Sequence, residues 1–289
     1  MKNFEDKVLP ALMSAITHVH VGSGKSYGDV DQPIIRDPLG VPFIPGSSIK
    51  GALKSKFLIE KNCVEKCNGD CEQEEKCEEE CYQVYCLFGP ERGDKGASRI
   101  VVADFYPLFV PMPSLSSGYV YVTSNFLLQY AETLNVKLVE GKGESEEIFI
   151  GTQKIKAEVV RINERIIEIH PFLKNFYRKA DGKGYVTVYK INDKHLFHLI
   201  DRALLRLTRV KIERTTKTAE RNKLWTEEYL PHGTILVGAF VYRPWRNACC
   251  EKCKHCENLL EELNDIFFVV GGKETIGKGL ARIKVMEGA

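Results

Sequence analysis

The sequence predicts an α+β fold in which strands and helices are mixed irregularly along the chain. Three observations lead to this prediction. The 289 residues are 44% hydrophobic and 28% charged, as in ordinary soluble globular proteins. Extended patterns with alternating side chains recur along the chain, and helical patterns lie between some of them. The two kinds of pattern do not alternate as regular βα units, which argues against a doubly wound sheet.

The N-terminal part is predicted to contain a strand, a long loop and a helix. An alternating pattern predicts the strand at residues 13–21, and the loop over 22–45 is rich in Gly, Pro and Asp. The helix should begin at Ser47 or Ser48, because either hydroxyl can accept a hydrogen bond from a free N–H of the first turn. The acidic segment 62–80, which is rich in cysteine, has the composition of an insertion.

The rest of the chain is predicted to form strands, two helices and loops. Apolar runs bounded by turn-forming residues place these elements. They are strands at 100–110 and 118–123, a loop with some strand at 135–149, a helix at 193–206, a two-stranded arm at 207–230 with its tip near 218–222, a strand at 234–242, a helix at 258–269 and a last strand at 280–285.

The net charge is only +2, so any nucleic-acid surface must be local. Eight basic residues lie between Arg202 and Lys223, and only Glu213 and Glu220 offset them. This cluster fits a nucleic-acid surface and equally a solvated hairpin face. No apolar run reaches about eighteen residues, so no membrane partner is expected. The N-terminus carries acidic residues and lacks a signal-peptide profile, which predicts a cytoplasmic protein.

Ten cysteines fall into two groups, one in a Cys-rich insertion at 62–86 and one in a Cys-rich loop at 249–256. Their clustering in hydrophilic segments predicts metal sites or disulfide staples rather than core thiols. The second group has a spacing compatible with Zn²⁺ but lacks a second, separate Cys-x-x-Cys pair. Zinc and disulfides therefore both stay open. The members of this group are Cys249, Cys250, Cys253 and Cys256.

Two motifs have the composition of phosphate-binding segments. The first opens the predicted helix, where free N–H groups favour an anion and a glycine allows a ligand close to the backbone. It comprises Gly46, Ser47, Ser48, Lys50 and Lys54. The second is a glycine-rich cationic loop before the last strand, and it comprises Gly271, Gly272, Lys273, Gly277, Lys278 and Gly279. Taken alone, either motif is equally an unliganded helix start or an ordinary turn.

A third motif is the loop that follows the first strand. It presents Asp29, Asp31 and Asp37 beside Arg36, shortly after His20. Such carboxylates can hold a divalent cation or orient a ribose hydroxyl. Turn-forming aspartates explain the same pattern without any chemistry, and Asp37 is the one most readily explained in that way.

Together and in this order, the motifs resemble the RAMP superfamily of CRISPR proteins. Within it, the chain is similar to the repeated backbone subunit of type III-B (Cmr) effector complexes. The sister subunit of type III-A (Csm) complexes shares the PGSS motif and an equivalent aspartate. The markers are HVGSG at 20–24, VDQPIIR at 30–36, PFIPGSSIKGAL at 42–53, CLFGP at 86–90, FVPMPSL at 109–115 and WTEEYLP at 225–231.

The resemblance implies one RAMP domain over 1–289, with a ferredoxin-like, RRM-related core and a β-hairpin thumb at 207–230. It implies that copies of the subunit stack along a guide crRNA beside other Cmr subunits. Each thumb displaces a guide–target base pair, and a loop aspartate cuts the target RNA at that gap. This aspartate corresponds to Asp31, and the motif histidine corresponds to His20. The two cysteine segments exceed the family pattern.

Guide and target RNA are expected to contact three sets of residues. The first two are the phosphate-binding motifs. The third lies on the catalytic loop and the thumb, and it comprises Arg36, Arg209, Lys211, Arg214 and Lys217. One subunit must accept many guide sequences, so these contacts should read phosphate and shape rather than bases. Arg36 has the alternative of pairing with Asp37.

RNA supplies its own nucleophile, the 2′-OH, so cleavage needs a distorted ribose, a neutralised phosphate and help with proton transfer. Asp31 is predicted to hold a divalent ion, Mg²⁺ or Mn²⁺, because a lone exposed carboxylate is a weak base near neutral pH. Direct base catalysis by Asp31 is the alternative. His20 can transfer a proton, orient the loop or contact RNA.

Three other functions remain open from the sequence. They are a guide-binding subunit without catalysis, an endonuclease that processes precursor guide RNA, and a nucleotide-binding metabolic enzyme. The RNA-cleaving interpretation requires that the N-terminal loop and the C-terminal glycine-rich loop lie side by side, with Asp31 accessible.

Overall fold

The computed structural model describes residues 5–26, 28–66, 78–91, 96–180, 182–244 and 256–286, and these form a mixed α+β fold, as predicted. The strands are β1 (Lys7–Ala15), β2 (Ile100–Val102), β3 (Tyr106–Ser114), β4 (Gly118–Ser124), β5 (Val139–Ile150), β6 (Gln153–Asn163), β7 (Tyr177–Ala180), β8 (Lys183–Ile191), β9 (Leu205–Ile212), β10 (Ala219–Tyr229), β11 (Ile235–Tyr242), β12 (Ile266–Val269) and β13 (Leu280–Val285). The helices are α1 (Gly46–Glu60), α2 (Cys63–Lys66), α3 (Glu79–Phe88), α4 (Asn125–Thr133), α5 (Asp193–Ala203) and α6 (Asn258–Glu262).

One large sheet organises the molecule. Its strand order is β12-β13-β1-β11-β3-β4-β8-β6-β5, with β2 beside β11 and β7 beside β8. The β4–β8 pair is parallel, and the other pairs along this order are antiparallel. Strands β9 and β10 form a separate two-stranded sheet, which is the hairpin expected at 207–230.

Strand β1 lies between two hydrophobic clusters. Ala11 and Met13 belong to the cluster that includes α1, α3 and α6, whereas Leu12 belongs to the cluster that includes α4 and α5. Successive side chains of a strand point to opposite faces, so β1 is buried on both sides. This position explains why its second half is buried without interruption and apolar except for Ser14.

The predicted strand at 13–21 was shifted relative to β1, which runs from Lys7 to Ala15. Pro10 argues against a strand in sequence, but here it pairs with Ala239 of β11 while β13 begins to pair only at the next residue. Beyond Ala15 the chain makes isolated bridges, such as Val19 with Leu230.

Other predicted boundaries also change. The predicted helix at 258–269 was wrong in its second half: α6 ends at Glu262, and the apolar β-prone residues that follow form β12. The hairpin turn lies at 213–218 rather than near 218–222. Helix α1 has 15 residues, and no helix among the described residues is long and apolar enough to cross a bilayer.

The Cys-rich insertion contributes buried residues and a disulfide to the fold. Helix α3 forms the C-terminal end of the insertion. It packs against α1, and most of its side chains are buried. A disulfide joins Cys63 to Cys81, and Cys86 is also disulfide-bonded. Disulfides therefore account for three of the cysteines at 62–86, whereas Cys67, Cys71 and Cys77 lie outside the described residues.

Candidate active site

Three segments that are distant in sequence meet at the base of the β9–β10 hairpin. The N-terminal loop bridges the end of β10 at two points, Val19 with Leu230 and Gln32 with Glu227. The glycine-rich loop joins them, because the Gly272 N–H donates to the carbonyl oxygen of His20 over 2.8 Å. The side-by-side arrangement required by the sequence analysis is therefore present.

Asp31 is exposed and held against the hairpin base. Its Oδ2 accepts a hydrogen bond from the Thr226 N–H at 2.8 Å. The neighbouring Gln32 donates to the Thr226 carbonyl and accepts from the Glu228 N–H, both over 3.0 Å. Within the described residues, Oδ1 of Asp31 has no hydrogen-bond partner and is free for a ligand.

His20 lies behind this loop and is buried. Its Nδ1 donates to the carbonyl oxygen of Glu228 at 2.7 Å, since a carbonyl can only accept. Its ring lies 5.5 Å from the ring of Tyr229. This geometry connects the loop to β10 through the His20 side chain.

Glu227 is buried among donors, with 2% of its surface exposed. Lys273 Nζ and Trp225 Nε1 each lie 2.7 Å from its Oε1, while the Tyr229 hydroxyl and Arg209 Nε bind Oε2. Burial alone would raise the pKa of Glu227, but the hydrogen bonds from its partners and the charge of Lys273 lower it to about 2. Lys273 and Arg209, both predicted RNA contacts, are therefore engaged by a carboxylate.

Glu228 points to the other side of β10 and has no exposed surface. Arg36 lies 2.7 Å from its Oε1 and Arg206 lies 3.1 Å from it. Both arginines also contact Asp201, at 3.1 Å and 2.8 Å. Arg36 thus pairs with these acids rather than with Asp37, and it ties the Asp31 loop to β10 and α5.

Asp37 has a structural role at the end of this loop. Its Oδ1 accepts hydrogen bonds from the N–H groups of Leu39 and Val41, each over 2.9 Å. This turn-capping pattern is the non-catalytic role that the sequence suggested for Asp37.

The start of α1 differs from the prediction in two respects. The helix begins at Gly46, with Pro45 in the N-cap position and no side-chain cap, so neither Ser47 nor Ser48 is the N-cap. The Gly46 N–H donates to Oδ1 of Asp104 at 2.8 Å. A Cβ at Gly46 would collide with the carbonyl oxygen of Val102, so the close approach at this glycine is to the chain's own backbone, not to a ligand.

The other residues of this motif divide into exposed and engaged side chains. Ser47 is exposed, whereas Ser48 and Lys50 are half-buried. Lys54 pairs with Glu91 at 2.8 Å and lies 5.5 Å above the ring of Tyr85. Lys54 therefore has partners within the protein, and its RNA contact stays a prediction.

Glycines of the C-terminal loop also serve internal packing. Gly271 has a φ of 86°, and a Cβ there would collide with the carbonyl oxygen of His20. Gly279 donates its N–H to the His18 carbonyl at 2.9 Å. Gly277 has a φ of 75° and open space around it. Lys278 lies 5.2 Å from the Tyr229 ring centroid, which places a cation beside the His20 and Asp31 loop.

The hairpin carries its free cations near its tip. Lys211 pairs with Glu220 at 2.8 Å. Arg214 and Lys217 are exposed, and within the described part of the chain neither forms an ion pair. These two predicted RNA contacts therefore remain accessible.

From the sequence, Glu227 and Glu228 were expected to have a packing or hinge role at the return of the hairpin, but their ion pairs with the surrounding cations were not anticipated. Glu227 faces Leu207 and Glu228 faces Arg206 in the hairpin register. Two adjacent acids in a strand, opposite a strand rich in arginine, are the signal that could have found them, because cross-strand neighbours pair.

Asp31 has the chemistry of a ligand for a divalent cation, but the described residues supply few further ligands near it. Among the described residues, no group of three or more His, Cys, Asp or Glu side chains could hold a metal. A hydrated Mg²⁺ needs only one or two carboxylates when substrate phosphates supply further oxygens, so Asp31 fits that role. Of the zinc candidates, Cys249, Cys250 and Cys253 lie outside the described residues, and Cys256 is a buried free cysteine.

The fold and the site define a member of one family of proteins. A RAMP superfamily profile matches residues 12–282, and the chain belongs to that superfamily. The chain is 30% identical to the CRISPR system Cmr endoribonuclease Cmr4 of Pyrococcus furiosus, over 94% of this chain and 93% of that protein. It is 27% identical to the CRISPR system CMR subunit Cmr4 of Saccharolobus solfataricus, over 96% of both chains. Csm3 proteins match about a third of the chain or less.

Solved structures agree with this assignment at the level of the fold. A chain of the type III-B Cmr-beta complex bound to cognate target RNA superposes with a TM-score of 0.70, at 23% identity, covering 96% of this chain and 97% of that chain. A crystal structure of oligomeric Cmr4 from Pyrococcus furiosus superposes with a TM-score of 0.58, at 21% identity, covering 98% and 99% of the two chains.

Proposed function

We propose that this chain is a backbone subunit of a type III-B CRISPR effector complex, and that it binds guide crRNA and cleaves complementary target RNA with Asp31. The near-full-length similarity to Cmr4 proteins supports the endoribonuclease class. The observation that carries the assignment of the site is Asp31 itself, an exposed carboxylate held at the base of a projecting hairpin.

The hairpin of β9 and β10 is proposed to act as the thumb that separates a guide–target base pair. It pairs with no strand of the large sheet and carries exposed cations near its tip. The four neighbouring strands β13-β1-β11-β3 support a ferredoxin-like core. Along the chain, α1 follows β1 and α6 precedes β13.

Cleavage is proposed to proceed by attack of the ribose 2′-OH on the adjacent phosphate, which leaves a 2′,3′-cyclic phosphate and a 5′-OH. The hairpin would hold the ribose out of A-form geometry, so that the attack is in line. Asp31 Oδ1 would face the reacting group, because Oδ2 is engaged by Thr226. A Mg²⁺ or Mn²⁺ ion bound there with substrate phosphates would supply charge neutralisation.

His20 is proposed to position the catalytic loop rather than transfer the proton. Its side chain is buried, and its Nδ1–H is committed to the Glu228 carbonyl. The RNA backbone is proposed to follow the remaining accessible cations and hydroxyls of the predicted set. These are Ser47, Ser48, Arg214, Lys217 and Lys278.

The test replaces Asp31 with Asn in complexes assembled on a guide. Asn keeps an oxygen that can accept the Thr226 N–H, so the loop should hold its place while the charge is lost. We expect a rate loss of at least about 100-fold, with guide binding and assembly unchanged. The exposed neighbour Asp29, changed to Asn, is the matched control and should cut normally. Cutting by Asp31→Asn at the wild-type rate would remove the catalytic assignment and favour a non-catalytic subunit.

A further inference from the structure

One face of the sheet carries an open groove where β4, β6, β7 and β8 come together. In β8, Val186 and Val188 are fully buried in the core. Tyr185, Thr187 and Tyr189 alternate with them, so they point to the opposite face, and all three are half-exposed. These side chains form the floor of a groove of about 760 Å³.

The groove is rich in aromatic surface. Besides the two tyrosines of β8, Tyr119 of β4 and Phe176 line it, with their ring centroids 5.1 Å apart in a T-shaped pair. The Tyr119 hydroxyl accepts a hydrogen bond from Asn175 Nδ2 at 2.8 Å. The rings are therefore held in place, and they leave π-faces and edges available to a flat ligand.

One end of the groove is cationic. Arg161 lies over the Tyr185 ring, with its Cζ 5.1 Å from the centroid, and Arg178 is opposite Tyr185 in the β7–β8 register. Arg178 Nη1 donates to the carbonyl oxygens of Asn175 and Tyr177, at 3.4 Å and 2.8 Å, which orients its guanidinium. Among the described residues, neither arginine forms an ion pair, so both keep donors suited to phosphate.

The other end of the groove is acidic. Glu144 and Glu146 of β5 line it, and both are exposed. Burial, together with the charge and hydrogen bond of Glu146, raises the pKa of Tyr189. Glu146 therefore lies at the ring that ends the aromatic floor, where a carboxylate can accept from an amino group.

We propose that this groove is a second RNA-binding site, which takes one or two unpaired nucleotides with their phosphate on Arg161 and Arg178 and a base stacked on Tyr185. The amino group of adenine or cytosine would then meet Glu146. Aromatic stacking beside cationic side chains is the chemistry by which proteins hold single strands. The site lies on strands outside the hairpin base, and the proposal requires no role in cleavage.

A protein partner fits this groove less well. The groove volume of about 760 Å³ is within the range of small-ligand sites. The opposite charges at the two ends also match a single nucleotide, which has a phosphate at one end and the N–H donors of its base at the other.

The test measures binding of a fluorescent pentaadenylate RNA to the full chain, together with ultraviolet crosslinking and peptide mapping. Arg161→Ala and Tyr185→Ala should each weaken binding at least about fivefold, and crosslinks should map to β8. Lys156→Ala is the matched control, an exposed cation of the same strand as Arg161 outside the groove, and it should bind like the wild type. Pentauridylate should bind more weakly than pentaadenylate, because uracil has no amino group.

Two further variants distinguish a loss of RNA binding from a loss of folding. Tyr185→Phe keeps the ring and should bind almost normally, whereas Arg161→Glu reverses one charge without emptying the floor and should bind worst. The proposal is overturned if Arg161→Glu binds like the wild type, or if crosslinks map only to the hairpin and the glycine-rich loop. It is also overturned if the groove variants lose a protein partner while oligonucleotide binding is unchanged. Failure of the Asp31 test would leave these results unaffected.

Discussion

Glu227 and Glu228 are adjacent in the chain, yet each is buried in a different cluster of cations. Successive residues of a strand point to opposite faces, so β10 presents one carboxylate to Lys273 and Arg209 and the other to Arg36 and Arg206. The first cluster joins the hairpin to the glycine-rich loop, and the second joins it to the Asp31 loop. The pair therefore sets where Asp31 lies relative to the hairpin.

Glu228→Gln should strongly destabilise the fold. The change leaves Arg36 without its nearest counter-charge in a buried site, and breaking such a pair costs about 3–5 kcal/mol of the free energy of unfolding. Denaturant unfolding of the purified chain measures this loss. Glu147→Gln is the control, since its ion pair with Lys154 is exposed and should contribute less than about 1 kcal/mol. Equal small effects from both changes would contradict the structural role of Glu228.

Helix α1 contains two glycines whose surroundings differ. Gly46 packs against the backbone of β2, whereas Gly51 faces open space in the same helix. The helix start is thus positioned by contact with the sheet rather than by a side-chain cap, which explains why it differs from the predicted serine cap.

Gly46→Ala should destabilise the protein by about 1–3 kcal/mol, because the new methyl group has to push the helix away from Val102. Gly51→Ala should instead stabilise it by up to about 1 kcal/mol, since alanine favours the helix interior. Thermal unfolding of the two variants measures the difference. If the two changes had the same sign, the close packing at Gly46 would be refuted.

The hairpin is the element whose charges should affect RNA binding most directly. Arg214 and Lys217 are exposed and have no ion-pair partner among the described residues, whereas Lys211 is paired with Glu220. Changing Arg214 and Lys217 to Ala should make the salt dependence of RNA affinity shallower by about 0.7 per charge removed. Lys211→Ala should change this slope less, because its charge is already offset. Titrations at several salt concentrations provide the measurement, and an unchanged slope in the double variant would place the RNA elsewhere.

At the scale of the whole molecule, three histidines from distant segments lie near one another. His18 precedes the Asp31 loop, His170 follows β6 and His232 precedes β11. The rings of His18 and His232 lie 5.1 Å apart, and Phe172 contacts both His170 and His232. Burial, with the charge of Lys278 and the proximity of His232, lowers the pKa of His18 to about 4. Burial and His232 lower the pKa of His170 to about 4 as well.

These pKa values predict acid sensitivity. In the unfolded chain His18 and His170 are protonated near pH 6.5, whereas in the folded chain these two side chains resist protonation until about pH 4. Stability should therefore be fully present above about pH 6.5 and should fall as the pH decreases toward 4. Denaturant unfolding at pH 7 and pH 5 measures the loss. His170→Asn can still accept the Phe172 N–H and should reduce this pH dependence, and a variant as acid-sensitive as the wild type would contradict the assignment.

Much of the fold was predictable where local patterns suffice. The strands at 234–242 and 280–285 and the body of α1 were predicted nearly in place, because each combines an apolar pattern with clear turn signals. The region 258–269 was not, because a short apolar run fits a helix or a strand until its neighbour is known. Here the neighbour is β13, and pairing with it decides for a strand.

The sequence by itself determined the superfamily and the order of its motifs, because those depend on residue types at short spacings, and the resemblance it carries predicts Asp31 as the catalytic residue. Only the tertiary structure decided which charged residues are free. Lys54, Lys273 and Arg36 were all expected to contact RNA, yet each is paired with a carboxylate that lies far away in the chain. The physical reason is that the partner of a charge is set by which segments the fold brings within a few ångströms, and no local pattern contains that information.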